Sequence, residues 1–274
     1  NGGPYSAQSI ASGGLAGLTA NLAAGTVAEG DSSLTLTLSG SFMGSGEASF
    51  QLEIGGQSCQ VDLNLPNVVP NSCDPSSPTL IVDVTNPVTG KTWMDRNLGA
   101  SRAATSSTDA EAAGSLFQWG RFSEGHQCRN SATTSTIATT ATPNLGNTWD
   151  GKKINTGSPY NWLSPQSTNL WQGVDGVNNP CPTGYRLPTK AEWEAEIASW
   201  SSSNTAGAYG SPLKLVTTGI RDAFTANIFN PTEQGWYWSS DTNGEDRMYR
   251  LDILQGEVTL FNSATGMAVR CIKD

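Results

Sequence analysis

The first ninety residues contain no lysine, arginine or histidine, and the whole chain of 274 residues has one histidine, His126. Seven acids fall in that stretch: Glu29, Asp31, Glu47, Glu53, Asp62, Asp74 and Asp83. Most of the net charge of −9 therefore sits there, and residues 91–274 keep −2, from fifteen bases against seventeen acids. Without clustered bases the chain has no means of neutralising phosphates, which argues against nucleic acid and against anionic lipid as partners. No run approaches the roughly 20 apolar residues that span a bilayer. Of the five cysteines, none stands in a CxxC or other metal-ligand spacing. Charged residues make up only 14% of the chain and mean hydropathy is −0.33. Ser, Thr, Asn and Gly fill the balance, a composition that suits an all-β or loop-rich extracellular protein. No signal peptide is visible, since Asn1 opens on a Gly-rich segment, as expected of a processed form or a piece of something longer.

All nine tryptophans follow residue 90, on the same side of the charge break. Two domains are expected. In the first, Leu34–Leu38, Phe50–Ile54 and Val61–Leu65 alternate apolar and polar residues, the period of a half-buried strand. Glycines at 40, 44, 46, 55 and 56 mark turns. The expectation is a small immunoglobulin-like β-sandwich over 1–66. It is one or two strands short of the usual seven, so its edge invites a strand such as Pro4–Ile10 from another copy. Pro66, Pro70, Pro75 and Pro78 make 67–79 a stiff linker. Cys59 and Cys73 flank its start and are placed to staple it to the first module.

In residues 80–274 the pattern changes to α+β. Asn86-Pro87-Val88-Thr89-Gly90 reads as a hairpin turn, and Thr108–Glu111 and Thr189–Glu192 read as capping boxes opening two helices. In the second helix Trp193, Ile197 and Trp200 share one face, as core, while Glu192, Glu194 and Glu196 are expected in solvent. Trp236–Trp238, Met248–Leu254, Glu257–Phe261 and Met267–Ile272 read as strands, with a turn at Gln255-Gly256.

Several segments together resemble the FISUMP (major paralogous) domain of bacterial surface proteins, over about residues 80–274. They are Val82–Pro87 with Gly90–Gly99, Phe117–Arg121, Gly125–Gln127, Cys181–Thr189, Tyr237–Ser240 and Ala268–Cys271. Gly17–Ala20 and Ile54–Cys59 resemble sandwich repeats found upstream of such domains. The family is similar to C-type-lectin-like folds of the formylglycine-generating-enzyme type, which implies a domain whose two termini meet in one sheet while long loops carry recognition. It also implies a Cys181–Cys271 disulfide, leaving Cys128 spare.

Catalysis finds little support in the residues. Gly30-Asp31-Ser32 faintly resembles a hydrolase motif but lies in the other module from His126. His126 and Cys128 are spaced for an imidazole-activated thiol, against which stands a loop histidine beside a disulfide or buried thiol. Formylglycine-type chemistry needs reactive cysteines or a metal that this chain does not offer, so no enzyme and no cofactor are expected. The Glu-Pro-Asn, Gln-Pro-Asp and Trp-Asn-Asp triplets of calcium-dependent lectins are also missing. Asp241, Asn243, Glu245 and Asp246 around Gly244 form a candidate calcium loop, against a solvated acidic turn. Trp149, Tyr160, Trp162 and Trp171, in a segment without periodicity, are the candidate ligand-binding residues. The expected function is adhesion or recognition at a bacterial cell surface, with a glycan or protein as ligand. The alternative is a subunit of a pilus-like filament, assembled by strand exchange through the N-terminal module.

Overall fold

A computed structural model describes residues 3–28, 30, 33–40, 44–142 and 146–274, with backbone only at 44 and 45. Asp31 and Ser32 of the Gly-Asp-Ser triplet lie outside the described residues. The fold is mostly β, and it divides into two compact units, Asn1–Val69 and Pro70–Asp274.

Among the described residues the N-terminal unit holds eight strands: β1 (Gly3–Tyr5), β2 (Gln8–Ala11), β3 (Gly13–Gly14), β4 (Leu18–Leu22), β5 (Gly25–Val27), β6 (Thr37–Gly40), β7 (Gly44–Ile54) and β8 (Gln57–Val69). β2, β4 and β6 form one antiparallel sheet, β1 pairs with β5, and β3, β7 and β8 pair in that order. Strand alternation sends Leu18, Ala20 and Leu22 from one sheet, and Ala48, Phe50 and Leu52 from another, into a shared core. The segment Pro4–Ile10 is paired at home, with Pro4 opposite Thr26 and Ile10 opposite Ala20. Pro66 falls inside β8. The β7–β8 register shifts between Gly44 and Gly46, opposite Val68 and Leu65, and this irregularity accommodates a residue with no ladder N–H.

Residues 67–79 are not a free linker. Residues 67–69 finish β8, and from residue 70 the chain is fastened to the C-terminal unit, by a Cys73–Cys128 disulfide and by Gly99 N–H donating to Thr79 Oγ1 (2.8 Å). This corrects the pairing of Cys59 with Cys73 and the reading of Cys128 as the spare thiol: Cys59 is the free, exposed cysteine. The second disulfide joins Cys181 to Cys271.

The C-terminal unit is built from short pieces: β9 (Thr79–Leu80), β10 (Asp83–Thr85), β11 (Thr92–Met94), β12 (Phe117–Gln118), β13 (Thr133–Thr134), β14 (Lys153–Ile154), β15 (Tyr185–Arg186), α1 (Lys190–Ala198), α2 (Thr205–Gly210), β16 (Ile220–Arg221), β17 (Ile228–Phe229), β18 (Trp236–Thr242), β19 (Arg247–Asp252), β20 (Glu257–Asn262), β21 (Gly266–Met267) and β22 (Ile272–Lys273). The sheet β10-β11-β22-β15 joins the unit's opening hairpin to its last strand, so its two ends meet. Gly90, at φ +69°, closes that hairpin's turn. The sheets β12-β21-β16-β17 and β18-β19-β20 complete the scaffold, with a parallel pair β13-β14. Met267–Ile272 is therefore not one strand: its ends serve two different sheets.

Thr108–Glu111 yields a single 3₁₀ turn, Ala110–Ala112, capped by Asp109. Thr189 and Glu192 do form a reciprocal capping box on α1. Trp193, Ile197 and Trp200 face a core with Trp93, Leu213, Tyr237, Leu251 and Ile272. Glu196, expected in solvent, is fully buried. It accepts hydrogen bonds from Asn86 Nδ2 (2.7 Å) and from Trp200 Nε1 (3.2 Å), tying the hairpin turn to the helix. Two N–H donors make its burial tolerable. Among the described residues no helix is long and apolar enough to cross a membrane.

On the chain-entropy relation the Cys181–Cys271 and Cys73–Cys128 bridges each restrain the unfolded chain by about 4 kcal/mol. Peptide mapping without reductant should return these two linkages, with Cys59 alone alkylated in the native protein. Cys271→Ser should lower unfolding stability by about 2–5 kcal/mol in denaturant titration.

Candidate recognition surface

Between 119 and 165 the described residues carry little regular structure, so buried side chains must satisfy their backbone. Gln118 is one that does so. Its Nε2 donates to Ile154 O (2.9 Å) and Ala264 O (2.8 Å), and its Oε1 accepts from Ile154 N (2.9 Å) and Arg121 (2.8 Å). All four amide positions are used. Arg121 also donates to Lys152 O and Trp149 O, pairs with Glu124, and lies 5.4 Å from the Trp162 ring centroid.

His126 is fully buried. Its Nε2 accepts from Gln118 N–H (3.1 Å), so its proton is on Nδ1, donated to Glu124 Oε2 (2.6 Å). Burial, aided by the Arg121 charge, lowers its pKa to about 4. Burial alone would raise the Glu124 carboxyl, but the contacts with His126 and Arg121 outweigh it and hold it at about 2. Cys128, in a disulfide, is no thiol for the imidazole to activate. Lys153, 1% exposed, reaches Ala264 O (3.2 Å), Ile154 O (3.4 Å) and Asn155 Oδ1 (3.5 Å) among the described residues. Burial and the charge of Arg221 bring its pKa down to about 7.

The sequence-selected aromatics divide. Trp162 and Trp171 are buried, not displayed, with indole N–H groups donating to Trp119 O (2.6 Å) and Asn178 O (2.9 Å). Trp149 is half-buried beside Arg121. Tyr160 is 39% exposed at φ +64°. The sequence reading missed Phe122, Phe224 and Phe229, exposed by 45%, 65% and 44%. Each lacks a periodic neighbour that would mark it as buried or displayed. Phe224 rides on a turn in which Asp222 Oδ1 accepts from Phe224 N (3.1 Å) and Thr225 N (2.7 Å). Thr156 N donates to Ala223 O (2.9 Å) and Ala264 N to Tyr160 O (3.0 Å). The Tyr160 loop is thus held against the segment bearing Phe224. Phe229 lies on β17, across from Ile220.

A second aromatic group lies on the sheet. The Arg250 guanidinium sits 3.8 Å from the Trp236 ring centroid and 5.1 Å from that of Phe261, and it donates to Asp252 Oδ2 (3.0 Å).

The acidic turn does not assemble a cation cage. Asp241 Oδ2 accepts from Lys190 N at the start of α1 (2.8 Å), and Asn243 Oδ1 accepts from Glu245 N and Arg247 N. Glu245 is exposed and Asp246 half-buried. Among the described residues no three His, Cys, Asp or Glu side chains gather as metal ligands. Asp241 and Asn243 thus already accept backbone N–H donors.

Because His126 stays neutral in the fold, only the unfolded chain takes its proton as pH falls from 6.5 towards 4. Glu124 adds a loss as pH falls from 4.5 towards 2, since its contribution exists only while it is ionised. Urea titrations should show stability falling by up to about 3 kcal/mol between neutral pH and pH 4, a slope that His126→Gln flattens. Lys153→Met should stabilise by about 1–3 kcal/mol at neutral pH, because Ala264 O keeps its Gln118 donor. That gain should fade as pH approaches 10.5, where unfolded lysine loses its charge. Comparison with known proteins finds no matching family model, curated protein or solved structure.

Proposed function

We propose that this is an extracellular, non-catalytic recognition protein whose C-terminal unit binds a glycan or protein partner through aromatic side chains on its loops. The observation that carries the reading is the placement of exposed aromatics. Among the described residues every large exposed aromatic, Phe122, Tyr160, Phe224 and Phe229, belongs to the C-terminal unit between residues 122 and 229. In the same unit, groups that could do chemistry are held in structural roles: His126 by two hydrogen bonds, Cys128 in a disulfide, and Glu124 in an ion pair. Exposed aromatic side chains on ordered backbone offer a binding surface with little ordering cost.

Two disulfides support an oxidising, extracellular setting. The resemblance of residues 80–274 to the FISUMP domain and to C-type-lectin-like folds points to a bacterial cell surface. The filament alternative requires Pro4–Ile10 to leave the partners it has in its own unit.

Screening the intact protein against glycan and matrix-protein arrays, with and without chelator, should reveal a ligand. Tyr160→Ala combined with Phe224→Ala should weaken its binding at least about tenfold. Thermal stability should stay close to that of the parent, since both side chains are exposed. Unchanged binding by the double variant, or no ligand on either array, would count against the reading.

A further inference from the structure

We propose that the protein forms a two-fold symmetric dimer in which β20 pairs antiparallel with β20 of a second copy.

β20 is the outer strand of the sheet β18-β19-β20. The direction of its free backbone groups follows from its neighbours. Trp238 N donates to Ala268 O, and Ala268 N to Trp236 O, so the backbone groups of Trp236 and Trp238 point away from β19 and those of Tyr237 towards it. Tyr237 stands opposite Leu251, whose backbone therefore faces β18. Alternation then turns Arg250 and Asp252 towards β20, where they meet Thr259 and Glu257. The backbone groups of Val258, Leu260 and Asn262 are left facing outward. Among the described residues no strand pairs with that edge.

Exposed sheet edges in natural proteins are ordinarily blunted by lysine, proline or a bulge. β20 has none of these. Its sequence is Glu257-Val258-Thr259-Leu260-Phe261-Asn262, and its pairing with β19 runs without interruption over six residues. The β18–β19 pairing, by contrast, shifts register between Trp238 and Thr242.

The edge is complementary to itself in one register. With the two-fold axis at Leu260, Leu260 pairs with its copy, and Val258 pairs with Asn262 of the second copy in both directions. Every outward N–H and C=O of the three residues then finds a partner, and two three-stranded sheets become one of six strands. Glu257, the strand's only charge, does not oppose its own copy in this register, so no like charges face one another. A shift of two residues either way leaves outward groups of β20 unused. The arrangement is isologous and closes as a dimer.

Sedimentation equilibrium of the full chain from about 1 μM to about 1 mM should show a monomer–dimer equilibrium, a range that spans weak strand pairing. Cys59→Ser should leave it intact, since the pairing does not involve that thiol. Leu260→Pro removes a donor that points away from β19, a position where a sheet edge accepts proline. It should weaken dimerisation at least about tenfold while preserving the far-ultraviolet circular dichroism spectrum. In a Cys59→Ser background, Leu260→Cys should cross-link on mild oxidation, because directly opposed residues of a hydrogen-bonded pair lie about 5.5 Å apart, within disulfide reach. The cross-link tests the register even if the proline variant fails to fold. A strictly monomeric parent, a folded Leu260→Pro variant that dimerises as the parent does, or no Leu260→Cys cross-link would overturn the proposal.

Discussion

The C-terminal unit depends on one recurrent interaction, a buried indole N–H donated to a backbone carbonyl far away in sequence. Trp162 donates to Trp119 O, Trp119 to Ser239 O, Trp193 to Trp238 O, and Trp238 to Phe117 O. Most strands of this unit are two or three residues long, so ladder hydrogen bonds satisfy only a fraction of its main chain. Tryptophan answers both needs of such a fold. Its ring fills volume, and its single donor occupies a carbonyl that would otherwise be buried without a partner. Long polar side chains extend the same solution. Arg270, 1% exposed, donates to Met94 O and Leu213 O as well as to Asn97 Oδ1. Asn178 donates to Gly120 O and Ala141 O.

This economy explains which parts of the fold could be read from sequence. Where the chain is regular, periodicity and capping chemistry carried through: the Asn86–Gly90 turn, the Thr189 capping box, the Trp193–Ile197–Trp200 face, and the Phe50/Leu52 alternation all describe the structure. Where it is irregular, no period connects a residue's position to its burial. Trp162 and Trp171 looked like Tyr160 in sequence, yet what separates them is whether a distant carbonyl awaits the side chain. Glu196 shows the same limit inside a helix. Its partner Asn86 is 110 residues away, a contact that no local pattern announces. The cysteines show it again, because connectivity depends on which segments meet in space. Cys73 falls among prolines that read as a linker, and it is bonded to Cys128, 55 residues on.

The candidate surface was half legible for a related reason. Of the loop aromatics singled out in sequence, Tyr160 is exposed, whereas Trp162 and Trp171 are buried. Phe122, Phe224 and Phe229 escaped notice because phenylalanine ordinarily signals core. Their exposure is a property of the folded chain that no local pattern announces.

The confinement of every tryptophan to one unit also makes the two units optically distinct. Indole emission will report on the C-terminal unit alone, where most of the rings are buried and will emit towards the blue until that unit opens. The N-terminal unit has a single tyrosine, Tyr5, and is silent in that channel. A melting curve followed by tryptophan fluorescence would therefore describe the C-terminal unit only, and the N-terminal strands must be watched through their amide absorption instead.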